Sequence, residues 1–259
     1  FDWWRQVKRK LNNKHVVFFF DYDGTLTPIA QNPQQAVIPQ KVKKLLRKLL
    51  QKPDCTLAII SGRALEDIKH IVGLKGIIYA GNHGLEIEGP EIKFKSQVSP
   101  RLKSVIRSIY EDMVNKLLKI KGVFIEDKGL AISVHYRLVD AKDIRGFLSK
   151  FCEITGLFTV RDKIKISEGK KVYEIRPPVA WDKGKAVLWL LAKQQFLLGK
   201  EKIFPVYMGD DVTDEDGFRA LKNKGLTIFV GEPKASGAAY YVKNTEEVIQ
   251  FMQQVLELG

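Results

Sequence analysis

The most constraining feature of the sequence is the segment VVFFFDYDGT, residues 16–25. Five apolar residues run without a break and are followed by two carboxylates, Asp21 and Asp23, with one residue between them. A continuous apolar run of this length is typical of a parallel strand that is buried on both faces. Carboxylates that follow such a strand lie at the carboxyl end of the sheet, where open α/β sheets bind their ligands. The segment therefore predicts a central strand whose end carries a polar site.

Four more short apolar runs end abruptly in glycine or acid, which predicts further strands of the same sheet. Most of the stretches between them have helical periodicity, as in residues 38–51, where leucines form one apolar stripe. Segment 181–198 is apolar around most of its circumference, so we expect a well-buried helix there. The alternation of strand and helix predicts an α/β fold with a doubly wound, Rossmann-like parallel sheet. The four runs are residues 56–62, 76–84, 204–211 and 226–231.

The middle of the chain has a different pattern. Residues 99–120 predict a long amphipathic helix with Ser99 as its N-cap, and Asp140 is a candidate cap for another helix just after it. Residues 130–138 and 170–177 alternate strictly between apolar and polar, which is typical of antiparallel strands with one covered face. In the first of these, Leu138 is expected on the covered face. We therefore predict a core domain of residues 1–94 and 177–259, interrupted by an inserted α+β domain of residues 95–176.

Composition narrows the possible partners. The 43 basic and 30 acidic residues give a net charge of +13, but the basic residues are scattered through helical stretches, as expected of solvated helix faces. We therefore expect an anionic small molecule as partner and no nucleic acid. No apolar run approaches the length of a membrane span, and Cys55 and Cys152 lack metal-ligand or disulfide spacing. The expectation is a monomeric, cytoplasmic protein with no membrane partner.

The ends of the predicted strands bring polar residues to one edge of the sheet. Several of them are carboxylates, which repel each other when they are buried together. A hard cation would remove that cost, and Mg²⁺ prefers oxygen ligands and leaves positions for water and phosphate. The alternative is that each acid caps the turn or helix that follows it. The residues are Asp21, Asp23, Ser61, Gly62, Arg63, Asn82, His83, Asp210, Asp211 and Asp214.

The spacing of Asp21 and Asp23 predicts phosphoryl chemistry. Residues i and i+2 of an extended segment point the same way, so both carboxylates can reach one phosphoryl group. One can attack phosphorus, and the other can protonate the leaving oxygen and later deprotonate water. Gly24 would let the backbone approach the phosphate and donate N–H bonds. The remaining phosphate-binding candidates are Ser61, the Gly62 N–H and Lys183, with Lys185 as the competitor of Lys183.

These motifs resemble those of a known family. DYDGT (21–25), SGR (61–63), Lys183 and GDDVTD (209–214) match the signature motifs of the haloacid-dehalogenase phosphatases in the right order. With GNHGLEIEGP (81–90), VHYR (134–137), EIRP (174–177) and WDKGKA (181–186), the sequence is similar to the trehalose-6-phosphate phosphatases from about residue 15 to its end. The resemblance implies a haloacid-dehalogenase core with an α/β cap inserted between the second and third motifs.

The resemblance also implies the roles of individual residues. Asp21 would be the nucleophile and Asp23 the general acid/base. Mg²⁺ would be held by Asp21, Asp210 and the Asp23 carbonyl, supported by Asp214 and Asp211. The positions that read the sugar in this family correspond to Glu126, Lys128, Arg137, Lys170 and Glu174.

The residue pattern independently places those cap residues on polar strand faces. Glu126 and Lys128 lie two apart, and Lys170 and Glu174 lie four apart, so each pair would share one face of a strand. Carboxylates and amines on a concave face suit a polyhydroxyl ligand. The alternative is a solvated sheet face with surface ion pairs, and His135 on the same face is a weaker candidate.

The function that the resemblance implies is Mg²⁺-dependent hydrolysis of trehalose 6-phosphate through an aspartyl-phosphate intermediate. The core motifs handle only phosphate, so another sugar phosphatase, acting on sucrose 6-phosphate or of the mannosyl-phosphoglycerate type, is the closest alternative. A phosphomutase is less favoured, because no feature demands that the phosphoryl group be retained. A non-catalytic domain of a trehalose synthase/phosphatase assembly would show degenerate motifs, whereas Asp21, Asp23, Lys183 and Asp210 are all present.

Overall fold

The computed structural model describes residues 3–30, 33–199, 203–232 and 235–258. The chain divides into two compact units, one formed by Phe1–Lys95 with Trp181–Gly259 and the other by Ser96–Ala180. The sequence pattern predicts the boundaries between the two domains after residues 94 and 176. None of the helices in the described part of the chain is both long and apolar enough to cross a membrane.

The strands in chain order are β1 (His15–Phe20), β2 (Cys55–Ile60), β3 (Ile78–Gly81), β4 (Glu86–Gly89), β5 (Ile92–Lys95), β6 (Phe124–Asp127), β7 (Ile132–His135), β8 (Lys165–Gly169), β9 (Val172–Arg176), β10 (Ile203–Gly209), β11 (Leu226–Val230) and β12 (Tyr240–Val242). The helices are α1 (Trp4–Leu11), α2 (Gln40–Leu50), α3 (Leu65–Val72), α4 (Pro100–Leu117), α5 (Ile144–Val160), α6 (Lys183–Leu198), α7 (Glu215–Leu221) and α8 (Thr245–Leu256).

The first unit is built on one sheet with the strand order β12-β11-β10-β1-β2-β3-β4-β5. The strands from β12 to β3 are parallel, and β3, β4 and β5 pair in antiparallel fashion. The five predicted parallel strands and the α/β class are confirmed. The sequence pattern missed β4, β5 and β12. Strands β4 and β5 are short and alternate apolar with charged residues on either side of a turn, and β12 is only three residues long.

Strand β1 lies between β10 and β2 and is buried along its whole length. Val16, Phe18 and Phe20 belong to one hydrophobic cluster, whereas Val17 and Phe19 belong to the cluster on the opposite side. This alternation explains the unbroken apolar run, because both faces of the strand are covered by helices. The topology also places the end of β1 beside the end of β10.

The prediction for segment 181–198 was only partly correct. Helix α6 buries one side, which includes Ala186, Val187 and Leu190. Its far end is open to solvent, with Phe196 83% exposed and Leu197 41% exposed. The helix has a single packed face despite its apolar composition, because it lies on one side of the sheet and is not enclosed between layers.

The second unit has an antiparallel sheet with the strand order β6-β7-β9-β8. The long helix is confirmed as α4, and the side chain of its N-cap Ser99 accepts a hydrogen bond from the Leu102 N–H. Together with α5 it covers the face that carries Ile132, Val134 and Ile175. The opposite face of this sheet carries polar side chains.

Two local predictions in this unit were wrong. Helix α5 begins at Ile144 with Asp143 in the N-cap position, so Asp140 is not its cap. Leu138 was expected on the covered face but is 57% exposed. The strand ends at His135, so strict alternation no longer fixes the direction of the side chains that follow.

We expect Phe147→Ala to destabilise the second unit. Phe147 is fully buried among the aromatic side chains of the cluster, and its truncation should lower the free energy of unfolding by about 3–5 kcal/mol. Leu157→Ala on the same helix is the matched control, since Leu157 is 68% exposed, and it should change this free energy by less than about 0.5 kcal/mol. Urea unfolding followed by circular dichroism measures both values, and equal losses would contradict the described packing.

Candidate active site

The two central parallel strands bring Asp21 and Asp210 together. Strands β1 and β10 pair with Phe20 opposite Met208, and the Asp21 N–H donates to the Met208 carbonyl oxygen at 2.9 Å. Both carboxylates follow directly on these strands and are buried, at 5% and 3% exposure. The strand register therefore fixes both acids at the carboxyl end of the sheet.

Lys183 connects this edge of the sheet to helix α6. Its Nζ donates to Asp21 Oδ1 and to Asp214 Oδ1, both at 2.7 Å, and the side chain is only 2% exposed. Lys183 is the first residue of the helix, whose N-cap Asp182 accepts from the Lys185 N–H. Lys185 is exposed, so Lys183 is the lysine that the structure places beside the carboxylates.

Asp214 is enclosed by hydrogen-bond donors. Its Oδ1 accepts from Lys183 and from the Tyr207 hydroxyl at 2.7 Å, and its Oδ2 accepts from the N–H groups of Asp210 and Asp211 at 3.0 Å. The side chain is fully buried. Asp214 therefore holds the loop after β10 in shape, and Tyr207 escaped the sequence analysis because it lies inside an apolar strand run.

Burial and neighbouring charges strongly shift the pKa values of Asp21, Lys183 and Tyr207. Burial raises the pKa of Asp21 well above its usual value, Lys183 opposes this effect, and Asp214 and Asp210 add to it. Burial alone would lower the pKa of Lys183, but Asp21 and Asp214 outweigh it and raise this pKa well above the usual range. Burial and Asp214 likewise raise the pKa of Tyr207, so its hydroxyl stays a donor.

The buried carboxylates fit a divalent cation. Oxygen atoms of Asp21, Asp210 and Asp214 lie within 4.8 Å of one another. With Lys183 as the adjacent ammonium group, three carboxylates leave two negative charges, which a divalent cation would neutralise. Asp211 is not part of this group, because its carboxylate accepts the Val212 N–H at 2.7 Å and caps the turn that follows.

Gly24 is required by the close approach of Asp210. Its φ is +95°, and a Cβ atom at this position would lie 2.1 Å from an Asp210 carboxylate oxygen. Its N–H donates to the Thr27 carbonyl oxygen at 2.7 Å. The structure thus supplies a reason for the glycine that differs from the expected one, in which this N–H faces phosphate.

Asp23 contacts a different cation from Asp21. Arg63 donates from Nε to Asp23 Oδ2 at 2.7 Å and from Nη2 to Asp23 Oδ1 at 2.8 Å. Arg63 was predicted at the end of the second strand, without an assigned role. The SGR motif was the available signal, although spacing alone could not show that the guanidinium reaches Asp23, which is 40 residues away.

Ser61 and the turn at residues 82–84 complete this part of the first unit. Ser61 is buried, its Oγ accepts the Arg63 N–H at 3.1 Å, and its O–H remains a possible donor to a ligand. Gly62 follows it in the loop between β2 and α3. In the turn, Asn82 and His83 have positive φ values of 50° and 56°. The carbonyl oxygen of Gly84 accepts the Trp181 indole N–H at 2.6 Å, which ties the turn to the segment just before Lys183.

The predicted sugar-binding residues lie in the second unit. Glu126 and Glu174 each pair with Ser133 across the sheet, so they share its polar face. Lys128, just beyond β6, donates to Glu174 at 3.0 Å, and both side chains are largely buried. His135 Nε2 lies 3.4 Å from Glu126 Oε2. The structure therefore brings Glu126, Lys128 and Glu174 to one polar face.

Lys170 and Arg137 are placed differently from the pattern-based expectation. Lys170 and Lys171 form the turn between β8 and β9, with Lys171 at φ 64°, so Lys170 does not share a strand face with Glu174. Arg137 follows the end of β7, and its Nη2 donates to the Lys170 carbonyl oxygen at 2.7 Å. The two residues lie together at one end of the sheet.

Comparisons with known proteins identify relatives over nearly the whole chain. The family model described as "Trehalose-phosphatase" matches residues 19–246. "Probable trehalose-phosphate phosphatase D" of Arabidopsis thaliana is 34% identical over 264 residues, which cover 97% of this chain and 70% of that protein.

Solved structures show a similar fold. The C. albicans trehalose-6-phosphate phosphatase C-terminal domain aligns with a TM-score of 0.83 at 24% identity, covering 98% of this chain and 97% of that one. A trehalose-6-phosphate phosphatase related protein aligns with a TM-score of 0.78 at 28% identity, covering 94% of this chain and 98% of that one. Both alignments extend over the two compact units.

Lys183→Met should strongly destabilise the first unit at neutral pH. Removal of the ammonium group leaves buried carboxylates without their counter-charge, which should cost about 3–5 kcal/mol of the free energy of unfolding. The exposed pair Lys116–Glu153 provides the control, and Lys116→Met should leave the urea midpoint almost unchanged.

The effect of Lys183→Met should depend on pH. Burial already raises the pKa of Asp21 in the folded protein well above its usual value, and this pKa rises further without Lys183. The folded variant therefore binds more protons than the unfolded chain in the pH interval between the usual and the raised pKa. Its stability should therefore fall as pH rises through this interval and recover on acidification. A loss of stability that stays constant between pH 4 and pH 8 would contradict the charge-based explanation.

Proposed function

We propose that this chain, which belongs to the trehalose-phosphatase family of phosphoric monoester hydrolases, hydrolyses trehalose 6-phosphate to trehalose and phosphate. The observation that carries the proposal is the buried cluster at the end of β1, where Lys183 bridges Asp21 and Asp214. A carboxylate, an ammonium group and further acids at one strand end suit the transfer of a phosphoryl group. The relatives supply the choice of substrate.

In the first step the Asp21 carboxylate attacks phosphorus. A bond forms between an Asp21 oxygen and phosphorus, and the bond between phosphorus and the sugar oxygen breaks with its electron pair on that oxygen. Asp23 gives its proton to the departing oxygen, which leaves as the sugar hydroxyl. Asp21 is the better nucleophile because it is held in place by Lys183 and by the hydrogen bond of its own N–H to β10.

In the second step water releases the phosphate. Asp23, now ionised, accepts a proton from the attacking water, whose oxygen forms a bond to phosphorus. The bond from phosphorus to Asp21 breaks, which restores the Asp21 carboxylate. Inorganic phosphate leaves, and Asp23 again carries the proton for the next cycle.

Phosphate binding is assigned to groups around Asp21. Lys183 balances charge on the phosphoryl oxygens, and the Ser61 hydroxyl and the Gly62 N–H donate to them. We keep the Gly24 backbone as a further donor, which requires its bond to Thr27 to open. These assignments follow from the position of the residues at the carboxyl end of the sheet.

Mg²⁺ is the proposed cofactor. Asp21, Asp210 and the Asp23 carbonyl would hold it, with Asp214 in support. Asp211, whose carboxylate caps the following turn, would support it through water. When it is bound, the cation neutralises charge on the phosphoryl oxygens and on the buried carboxylates. Since Asp214 already accepts four hydrogen bonds, Asp21 and Asp210 are the better first ligands.

Sugar recognition is assigned to the polar face of the second unit. Carboxylate and ammonium groups at Glu126, Lys128 and Glu174 can accept from and donate to sugar hydroxyls. Arg137 and Lys170 add cationic groups at the end of the same sheet. A small-molecule sugar phosphate is therefore the proposed partner, and a monomeric, cytoplasmic protein stays a prediction.

A substrate panel tests the proposal. Phosphate release is measured from trehalose 6-phosphate, sucrose 6-phosphate and nitrophenyl phosphate, with added Mg²⁺ and with a chelator. Trehalose 6-phosphate should give the highest kcat/KM, and chelation should remove the activity. Faster turnover of sucrose 6-phosphate would favour another sugar phosphatase, and sugar binding without turnover of any substrate would indicate a non-catalytic binding domain.

Asp21→Asn should fold and lose turnover. The substitution keeps the size of the side chain but removes the charged nucleophile, so kcat should fall by about a thousandfold or more. Asp216→Asn is the control, because Asp216 pairs with exposed Arg219, and it should keep wild-type kcat. Wild-type-like hydrolysis by Asp21→Asn would rule out this nucleophile.

Glu174→Ala should separate sugar recognition from phosphate chemistry. Its kcat/KM for trehalose 6-phosphate should fall about a hundredfold, whereas that for nitrophenyl phosphate should fall less than about threefold, because the aryl ester has no sugar to bind. Glu153→Ala, on the exposed side of α5, should change neither value. Equal losses on both substrates would argue against a sugar-binding role for Glu174.

A further inference from the structure

Arg63 has no part in the mechanism above, yet its guanidinium is engaged on every side. Besides its two bonds to Asp23, it donates from Nη1 to Asp67 at 3.0 Å and from Nη2 to the Pro33 carbonyl oxygen at 2.8 Å. Its Cζ lies 5.3 Å from the centre of the Tyr22 ring. The Arg63 backbone is also fixed, because its N–H donates to Ser61 Oγ. The guanidinium therefore has a defined position without any help from Asp23.

The two partners differ in exposure. The Arg63 side chain is 6% exposed, whereas the Asp23 side chain is 40% exposed. An arginine that is buried and held by several groups has little freedom left, whereas a half-exposed aspartate on its own would sample several rotamers. Two parallel N–H···O bonds fix the plane of a carboxylate as well as its distance. The buried side chain thus orients the exposed one.

We propose that Arg63 is a positioning residue that orients the Asp23 carboxylate for proton transfer during phosphoester hydrolysis. This inference rests on the proposed function, since it needs Asp23 to be the general acid/base. Proton transfer requires the donor to lie at hydrogen-bonding distance and in line with the leaving oxygen. The planar guanidinium of Arg63 supplies this orientation through its two N–H donors, whereas the ammonium group of a lysine would supply charge without fixing the carboxylate plane.

A purely structural role is the competing explanation. Arg63 connects the strand end to Asp67 on α3 and to Pro33, so its loss also removes contacts that hold these segments. Such a role would affect every substrate equally. A role through Asp23 would affect only the step in which Asp23 moves a proton.

The leaving group distinguishes the two explanations. A sugar alkoxide is a poor leaving group and needs a proton as it departs, whereas nitrophenolate leaves as a stable anion. Release of the leaving group in a single turnover isolates this first step from the later attack of water. If Arg63 acts through Asp23, its replacement should slow sugar release far more than nitrophenol release.

The variants are Arg63→Lys, Arg63→Met, Asp23→Asn and the double variant Arg63→Lys/Asp23→Asn. Arg63→Lys should slow single-turnover release of trehalose about tenfold or more and release of nitrophenol less than about threefold, with KM nearly unchanged. The double variant should be no slower than Asp23→Asn alone, because both changes remove the same contribution. Circular dichroism reports folding, and Arg63→Lys keeps the test valid where Arg63→Met does not fold.

Asp67→Asn is the matched control. It weakens another contact of Arg63 but leaves the Asp23 bonds in place, so it should keep wild-type release of both leaving groups. If Asp67→Asn and Arg63→Lys both slowed the release of the two leaving groups to the same extent, contacts with α3 would account for the effect and the assignment would be contradicted. Equal slowing of both leaving groups by Arg63→Lys, or a double variant slowed by the product of the single effects, would overturn the inference.

The proposed function and this inference fail in different ways. If the wild-type protein releases phosphate from neither trehalose 6-phosphate nor nitrophenyl phosphate, the proposed function fails. If the wild type is active and Arg63→Lys matches it on both leaving groups, only the positioning role of Arg63 is lost.

Discussion

The first unit depends on the buried ammonium group of Lys183. It links three chain segments that are far apart in sequence, namely strand β1 through Asp21, the loop after β10 through Asp214, and helix α6 on which it lies. A buried ammonium group is tolerated only with carboxylate partners, and buried carboxylates only with a cation. The elements that meet at this point therefore need one another, and the site cannot form before β1, β10 and α6 are in place.

The same network explains why the site is rigid. Asp214 accepts hydrogen bonds from Lys183, Tyr207 and two backbone N–H groups. Any movement of its carboxylate would therefore break at least one of these buried hydrogen bonds. The Trp181 indole N–H donates to the Gly84 carbonyl oxygen, and this hydrogen bond fixes the segment that leads into α6. The charge that remains on Asp21 and Asp210 is then the part of the network that is suited to a cation and a phosphoryl group.

The strands and the acids that follow them could be predicted from the sequence for a physical reason. Buried parallel strands need apolar side chains on both faces, and residues just after them must lie on one edge, so β1 and the positions of Asp21 and Asp210 could be predicted. Tyr207 could not, because a tyrosine within an apolar strand looks like core until its hydroxyl partner is known. Leu138 and Lys170 were misplaced because turns end their strands, and alternation holds only within a strand. The exposed Phe196 shows that apolar composition does not determine how many sides of a helix are covered.

The two carboxylates of the DYDGT segment differ because different cations hold them. Their spacing suggests equivalence, but Asp21 is buried against Lys183, whereas Asp23 is half-exposed against Arg63. Lysine offers a compact charge that can also face a phosphoryl oxygen, and arginine offers a planar fork that sets the orientation of its partner. A nucleophile needs a fixed position and compensation of charge, whereas a proton carrier needs orientation and access to the leaving oxygen and to water. The difference between the two acids therefore comes from residues 40 and 162 positions away, not from the segment that contains them.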